Sequence, residues 1–313
     1  PRHFNLMFET NIGPVKNENS AVYLRPETAQ GIFVNFENVL RTMRAKLPFG
    51  IANIGKSFRN EITPGQFIFR TREFEQMEIE FFCKDEDQEQ WFNFWINKRL
   101  EWYKSLGISE DKLRIRTHEE DELAHYASKT SDIEFMYPWG WGELEGIANR
   151  GTFDLTSHEK ESGKDLTYFD PETNEKINPV VIEPAGGLTR TLFAILCSNY
   201  DEDTVNDTTR TLFRFNFEIA PIQIAILPLS KKDNLINTSK EIKTKLQKSF
   251  RTEIDITQSI GKRYRRQDEI GTPYCITVDF ETIDDDSVTI RNRDTMNQER
   301  VEINKLHDYF ENI

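Results

Sequence analysis

Arginine, carboxylate and aromatic side chains alternate through Phe58–Phe82, FRNEITPGQFIFRTREFEQMEIEFF, in a pattern suited to holding a nucleotide. In extended chain, successive side chains point to opposite faces. Arg70, Arg72, Phe74, Gln76, Glu78 and Glu80 therefore share one face, and Thr71, Glu73, Glu75, Met77, Ile79 and Phe81 the other. Pro64 and Gly65 mark the turn, and on the incoming side Gly55, Ser57, Arg59 and Glu61 also fall on one face. A guanidinium makes bidentate, charge-assisted bonds to phosphate oxygens, which suits Arg59 to clamp a phosphate. Glu61 can accept from the exocyclic amine of a base. Phe74 can stack on that base, an interaction worth ~1–3 kcal/mol in base–aromatic stacking. Glu78, further along, can hold a cationic group. The chemistry these residue types suggest is nucleotide activation. A solvated sheet face is the plainer reading, but such faces rarely gather both charge signs around an aromatic ring and a glutamine.

Positioning these groups takes a hairpin over residues 51–82, and the rest of the chain must support it. The 313 residues exceed the usual single-domain range and predict two domains, 1–219 and 220–313. Residues 21–36 run from extended chain into a helix with Thr28 in its N-cap region. Residues 87–107 read as a helix, with Trp91, Phe92, Phe94, Trp95, Leu100, Trp102 and Tyr103 at packing intervals. Residues 117–130 read as an acidic helix. Glu143–Ile147 and Phe153–Leu155 read as strands around a loop at Ala148–Gly151, and 158–177 as a polar surface hairpin or loop. Val180–Glu183 reads as a strand that breaks at Pro184 and enters a helix at Leu188–Ser198. Beyond Pro221 the reading is strand Ile222–Leu229, helix Lys240–Phe250, strand Glu253–Ile256, helix Lys262–Asp268, strands Tyr274–Asp279 and Val288–Arg291, then mostly helix over Val301–Phe310. This alternation is α/β.

Composition sets limits. With 37% hydrophobic and 30% charged residues, the chain describes a globular protein with enough apolar mass for a core. No apolar run approaches the ~18 residues of a membrane span, and no signal peptide is visible. Cys83, Cys197 and Cys275 lack paired spacing, which favours buried thiols in a reducing compartment over a disulfide or zinc. The five histidines show no ligand spacing. A net charge of −13 argues against a general nucleic-acid binder. Its distribution is uneven: residues 220–313 hold 15 Lys and Arg against 16 Asp and Glu, and the remainder 25 against 37. An acidic first half suits a cationic substrate. Lys262, Arg263, Arg265 and Arg266 form a basic strip in the neutral half.

The Phe58–Phe82 stretch resembles motif 2 of the class II aminoacyl-tRNA synthetases, in its glycyl-tRNA synthetase form. Leu24–Phe36, LRPETAQGIFVNF, is similar to the segment preceding motif 2 in that family. Glu145–Arg150, EGIANR, resembles its adenosine-side strand, and Val181–Arg190, VIEPAGGLTR, resembles motif 3. The likeness continues through KRYRRQDEIGTPYCITV, Lys262–Val278, into an anticodon-binding domain. It implies a catalytic domain on an antiparallel sheet, followed by a smaller α/β domain with a mixed sheet. It also implies ATP and Mg²⁺, glycine and tRNA(Gly) as substrates, a cytoplasmic setting and no membrane. A homodimer is expected when an N-terminal portion carrying motif 1 is present. The chain starts at Pro1 and shows no motif 1, which reads as a fragment or as part of a longer polypeptide.

Residue by residue, the resemblance makes Arg59 and Arg190 the catalytic arginines. Arg59 would sit on the α-phosphate. Arg190 would stack on adenine and reach the γ-phosphate, with Phe74 on the other face of the ring. Further nucleotide contacts fall to Asn60 and Glu61, to Phe69, Arg70, Thr71, Arg72 and Glu73, to Glu143 and Leu144, and to Gly187, Leu188 and Thr189. Glycine contacts fall to Glu27, Glu78 and Glu183, with Phe74, Glu75, Gln76 and Met77 on one strand and Pro184, Ala185, Gly186 and Gly187 on another. The strip Lys262, Arg263, Arg265 and Arg266 would bind tRNA. Two positions depart from the pattern: Ala185 stands where many relatives have Ser, and Gly65 where some have Arg. Two other readings compete. One is a non-catalytic paralogue that binds nucleic acid or a polymerase partner, which would have lost Arg59, Glu61 and Arg190. The other is a different class II synthetase with the same anticodon domain, against which RPETAQGI and three pocket glutamates argue.

Overall fold

Alternation through Phe58–Phe82 does produce a hairpin, and the strand inserted beside it determines everything the hairpin faces. The computed structural model describes residues 5–14, 20–205 and 207–313. They divide between Cys197 and Ser198 into two compact units.

In the first unit a short pair, β1 (Glu9–Asn11) and β2 (Ala21–Tyr23), precedes α1 (Ala29–Met43). The long hairpin β3 (Phe49–Phe58) and β4 (Glu73–Cys83) follows, then α2 (Gln88–Ser105) and the strands β5 (Leu113–Thr117), β6 (Lys129–Tyr137) and β7 (Gly140–Gly151). Next come α3 (Phe153–Ser162), a small hairpin of β8 (Tyr168–Asp170) and β9 (Glu175–Ile177), β10 (Val180–Gly187) and α4 (Leu188–Asn199). The six-stranded sheet runs β3-β4-β10-β7-β6-β5, antiparallel throughout. β10 thus slots between β4 and β7, bringing together three segments far apart in sequence.

Period-2 geometry then sorts each strand between two faces. On one, Phe81, Ile133, Phe135, Ile147 and Ile182 pack under α2 through Phe92, Ile96 and Tyr103, with Trp91, Trp95 and Trp102 against the cluster. The aromatic stripe of α2 is packing, as its spacing predicts, except for Phe94, which is 43% exposed. On the other face Phe82 and Val181 meet α1 and α3 through Ala29, Ile32, Phe33, Phe36 and Leu155. The α1 residues recur at the i, i+3, i+4, i+7 spacing of an apolar helix stripe. This second layer covers only one end of the sheet and leaves the polar half of that face open.

Several sequence-based elements come out differently. The acidic stretch after Thr117 forms a single 3₁₀ turn, Glu120–Glu122, rather than a helix. Consecutive like charges disfavour a longer helix there, and Arg116 on β5 pairs with Glu122. Ala148–Gly151 continues β7 instead of looping, and Phe153–Leu155 opens α3 instead of forming a strand. The strand at Val180 runs through Pro184 to Gly187. A proline is tolerated because the ladder to β4 lapses at Glu183 and Pro184 while that to β7 continues.

The second unit opens with the hairpin β11 (Tyr200–Val205) and β12 (Thr208–Phe213), which sequence reasoning missed. Then follow β13 (Ile224–Pro228), α5 (Asp233–Leu246), β14 (Thr252–Ile254), α6 (Ile260–Ile270) and β15 (Tyr274–Val278). α7 (Thr282–Asp285), β16 (Ser287–Asn292), β17 (Gln298–Glu302) and α8 (Leu306–Glu311) complete it. β17 and a 3₁₀ turn occupy the start of the segment read as helical from Val301. The sheet β14-β13-β15-β16-β17 is mixed: β13 runs parallel to β14 and β15, while β16 and β17 are antiparallel.

The basic strip of α6 does not present one solvent-facing row. Arg263 is 3% exposed. Its Nη1 donates to the carbonyls of Pro228 (2.7 Å) and Asp255 (3.2 Å), and its Nε and Nη2 donate to that of Gln258 (3.2 and 3.0 Å). Arg266 donates to Asp255 through Nε (2.9 Å) and to the Thr257 carbonyl (3.1 Å). Arg265 holds the Thr209 carbonyl at 2.9 Å, and Lys262 is exposed. The expectation that all four face a tRNA is corrected for Arg263, whose guanidinium is buried against the carbonyls of Pro228, Asp255 and Gln258. Replacing Arg263 with Ala strands three carbonyls at about 1–3 kcal/mol each when buried. The variant is expected to lose at least about 2 kcal/mol in chemical denaturation, and Arg265→Ala under about 1. Equal, small losses for both would show that Arg263 is not structural.

Candidate active site

The open half of the sheet face is lined by β4 (Phe74, Gln76, Glu78, Glu80), β10 (Glu183, Ala185, Gly187), β7 (Gly146, Ala148, Arg150) and β6 (Thr130, Asp132), whose cross-strand registers bring them level. β3 contributes Gly55 and Ser57 opposite Gln76 and Phe74. The shared face read from the hairpin is present, and three further strands, β10, β7 and β6, complete it.

At the end nearest the hairpin turn lies a cleft lined by Arg59, Glu61, Phe69, Arg70, Thr71, Phe74, Glu143, Gly187, Thr189 and Arg190. Arg59 follows β3. Its N–H donates to the Arg72 carbonyl (2.9 Å), its Nε to the Pro26 carbonyl (3.2 Å), and its guanidinium lies 5.5 Å from the Phe74 ring centroid. Arg190 lies in the first turn of α4. Its Nε donates to the Phe69 carbonyl (3.0 Å) and its Nη1 to the Glu143 carbonyl (3.0 Å), with the guanidinium 4.2 Å from the Phe69 centroid. Arg59 is held by a neutral carbonyl and a ring, which leaves its charge largely uncompensated toward the cleft, whereas Arg190 also lies 3.4 Å from the exposed Glu143 carboxylate through Nη1. Thr189 Oγ1 accepts the Glu75 N–H at 3.0 Å, joining α4 to the rim.

A second chamber continues from the first and shares Arg59, Gln76, Glu143 and Ala185 with it. Its walls carry Glu27, Glu78, Glu183 and Asp132, and its floor is small: Gly146, Ala148 and Ala185. Glu78, 2% exposed, accepts the Thr28 N–H (2.7 Å), the Thr28 hydroxyl and Gln76 Nε2 (2.6 Å). Burial pushes its carboxyl pKa up, and the Thr28 hydroxyl opposes this. The carboxylate fixes the Gln76 amide with its nitrogen toward Glu78, which leaves Gln76 Oε1 buried without a protein partner. Glu183 accepts from Arg150 Nη1 (2.7 Å). Arg150 in turn grips Asp154 through Nε (2.6 Å) and Nη2 (2.8 Å) and lies 4.1 Å from the Tyr126 ring centroid. Glu27, half-buried, accepts from Gln30 Nε2 at 3.0 Å.

Other expected residues lie elsewhere. Leu144 is 1% exposed in the apolar core, so its side chain does not line the cleft: the register shifts between Glu143, opposite Glu134, and Glu145, opposite Ile133, and leaves Leu144 as the extra residue of a bulge. Gly186 and Met77 face α2. A Cβ on Gly186 would sit 2.9 Å from Met77 Cε and 3.1 Å from Glu145 Oε2, so this glycine serves close packing. Glu73 pairs with Lys56, Arg72 Nε donates to the Glu61 carbonyl (3.0 Å), and the Asn60 amide donates to the Asn5 carbonyl (3.4 Å). Pro184 is buried and Leu188 half-buried. Sequence reasoning missed Arg150, Asp132, Tyr126 and His118, whose Nε2 lies 2.7 Å from Asp132 Oδ2. The alternation of β6 and β7 could have signalled Asp132 and Arg150 but was obscured by the misread helix and loop, while His118 and Tyr126 lie between strands and carry no such signal.

An antiparallel sheet with two arginines over one cleft and an acidic chamber beside it defines the catalytic core of a class II aminoacyl-tRNA synthetase. Comparison with known families agrees: residues 8–199 match the tRNA synthetase class II core domain (G, H, P, S and T), and residues 223–313 match the anticodon binding domain. The chain belongs to the class II tRNA synthetase family. It is 57% identical over 312 residues to the glycine–tRNA ligase of Ruminiclostridium cellulolyticum, covering 99% of this chain and 67% of that protein. It is 56% identical to that of Lachnospira eligens and 54% to that of Bacillus anthracis, again over 99% of this chain and 67% of the relative.

The Arg150 fork is the clearest structural dependence in the site. Removing one partner of a buried ion pair typically costs about 3–5 kcal/mol, because the other charge is left uncompensated. Arg150→Met is expected to destabilise the first unit by that amount. Arg150→Lys should recover only part, since an ammonium cannot fork to Asp154 and Glu183 together. Thermal unfolding of both variants checks this, and a loss under about 1 kcal/mol in the Met variant would refute it.

Proposed function

We propose that this chain is a glycine–tRNA ligase that activates glycine with ATP and transfers the glycyl group to the 3′ end of tRNA(Gly). The observation that carries the reading is the joining of a two-arginine cleft to an acidic chamber with a glycine–alanine floor, in a chain 54–57% identical to glycine–tRNA ligases. In the first step a glycine carboxylate oxygen attacks the α-phosphorus, the bond to the bridging oxygen breaks, and pyrophosphate leaves. In the second, the terminal ribose hydroxyl attacks the glycyl carbonyl, its proton is released, and AMP leaves. Neither step needs a protein nucleophile, so rate enhancement comes from positioning and charge stabilisation.

Arg59 holds the α-phosphate as charge develops there. Arg190 and Phe74 sandwich the adenine, whose amine meets Glu61. A Mg²⁺ bound with the triphosphate would neutralise part of its charge, and Glu143 would help to hold it. The exposed carboxylate of Glu143 fits that ion's preference for one or two carboxylates plus phosphate oxygens. Glu27, Glu78 and Glu183 surround the glycine ammonium, and the orphaned Gln76 Oε1 is free to accept from it, a role open because Ala185 offers no hydroxyl. The Gly146, Ala148 and Ala185 floor lets the substrate approach closely, and larger amino acids would be excluded by overlap where the acidic walls close around Cα. A pocket of this kind needs no editing site, since rejecting larger substrates is easier than rejecting smaller ones. Residues 220–313 recognise the anticodon, with Lys262 and Arg265 the members of the α6 strip still available to RNA. The reading carries with it a homodimer for the full-length protein and a cytoplasmic setting. Among the described residues no helix is long and apolar enough to cross a membrane.

Glycine-dependent ATP–pyrophosphate exchange on the full-length protein tests the reading directly. Arg59→Ala is expected to abolish exchange with the fold intact. Activity within about threefold of the parent, a barrier change under ~1 kcal/mol, would remove Arg59 from the phosphate site.

Glu78→Gln is expected to raise KM for glycine by about tenfold or more while leaving KM for ATP little changed, because hydrogen bonds to charged groups are worth ~1.5–3 kcal/mol. An effect on ATP alone would place Glu78 in the nucleotide site.

A further inference from the structure

Glu80 is 0% exposed, and neither of its carboxyl oxygens has a hydrogen-bond partner. The chemistry above gives it no role. Extrapolating the β4–β10 register between its flanking pairs, Ile182 with Phe81 and Ala185 with Glu78, sets Glu80 directly opposite Glu183. Two carboxylates facing each other across a ladder repel, and two such groups in a dry site share one proton instead. The surroundings decide which one keeps it. Glu183 has Arg150 at 2.7 Å, whereas Glu80 has no cation or donor of its own. The charged and titratable groups facing the pair are Glu78 on β4, Glu27 before α1, Arg150 on β7 with Asp154 of α3 behind it, and Tyr126. The opposing residue on β3 is the apolar Ile51.

We propose that Glu80 is a positioning residue that stays protonated at neutral pH and donates its O–H to Glu183, fixing that carboxylate for the substrate ammonium. The pair then carries one negative charge, held between the Glu80 hydroxyl on one side and the Arg150 guanidinium on the other. This rests on the glycine-ligase reading for its functional consequence. Burial, and next the Glu183 charge, drive the Glu80 carboxyl far above its ordinary range, in keeping with the geometry.

The sign of the linkage is fixed. The folded chain keeps a proton that an unfolded glutamate releases near 4.5. Its contribution to stability is therefore full below that pH, falls as pH rises, and is gone above the raised value of Glu80 itself. Two variants of the full-length protein test the proposal. Glu80→Gln keeps a neutral donor, and Glu80→Met keeps the volume without the donor. The Met variant is expected to raise KM for glycine about tenfold with KM for ATP unchanged, and Gln to restore it to within about threefold. The infrared spectrum of the parent at neutral pH should contain a carboxylic-acid C=O band that Glu80→Gln removes. The parent should lose stability from pH 5 to 9 relative to the Gln variant. A missing band, a flat stability difference, or a Gln variant as impaired as Met would overturn the proposal. The infrared and stability measurements need no substrate, so they stand or fall separately from glycine activation.

Discussion

Several carboxylates buried on one face of a sheet are the constraint around which the catalytic unit is arranged. An ionised carboxylate taken from water loses several kcal/mol of solvation unless donors replace the water. The fold meets that demand differently for each acid. Glu78 draws on the N–H and hydroxyl of Thr28 at the start of α1 and on the Gln76 amide. Glu183 draws on Arg150, whose other nitrogens are taken by Asp154 at the start of α3. The starts of two helices and the end of one strand are thus tied to the acids themselves. That linkage holds α1 and α3 against one end of the sheet and leaves the rest open.

The two halves of the site use charge in opposite senses without cancelling. Arg59 is held by a backbone carbonyl and an aromatic ring and keeps most of its field for an anion, while Arg190 is held by carbonyls, a ring and the solvent-exposed carboxylate of Glu143. The acids sit deeper, beyond the shared wall of Gln76 and Ala185. A zwitterionic amino acid beside a triphosphate presents the complementary arrangement: ammonium inward, carboxylate and phosphates outward. The acidic balance of the first half of the chain has its physical origin here in part, and it coexists with a local anion site because buried and half-buried pairs are screened far less than surface charge.

Errors in reading the sequence share a cause. The strip on α6 looked like an RNA contact because four cations lie within five residues, yet the carbonyls closing the ends of β13 and β14 need a donor, and Arg263 supplies it. The segment 117–130 was legible as acidic but not as an irregular wall, since its conformation follows from Arg116 and Asp132 on neighbouring strands. Pro184 looked like a strand end, and whether a proline interrupts a strand depends on which neighbour its missing N–H would have served.

The sequence by itself determined the hairpin, its polar face, the two arginines and the mixed character of the second unit. Those signals are local: side-chain alternation, turn residues and helix spacing act over a few residues, and the family motifs are contiguous strings. Only the tertiary structure decided that β10 enters between β4 and β7, and with it that Glu183 faces Glu80, that Arg150 bridges two acids, and that Leu144 turns to the core. Strand order is a choice among long-range pairings that no local pattern encodes. Most of those relationships join residues tens of positions apart, the Arg150–Asp154 bond being local, and they are set by burial of the apolar faces under α2 and α1 rather than by anything the strands carry in themselves.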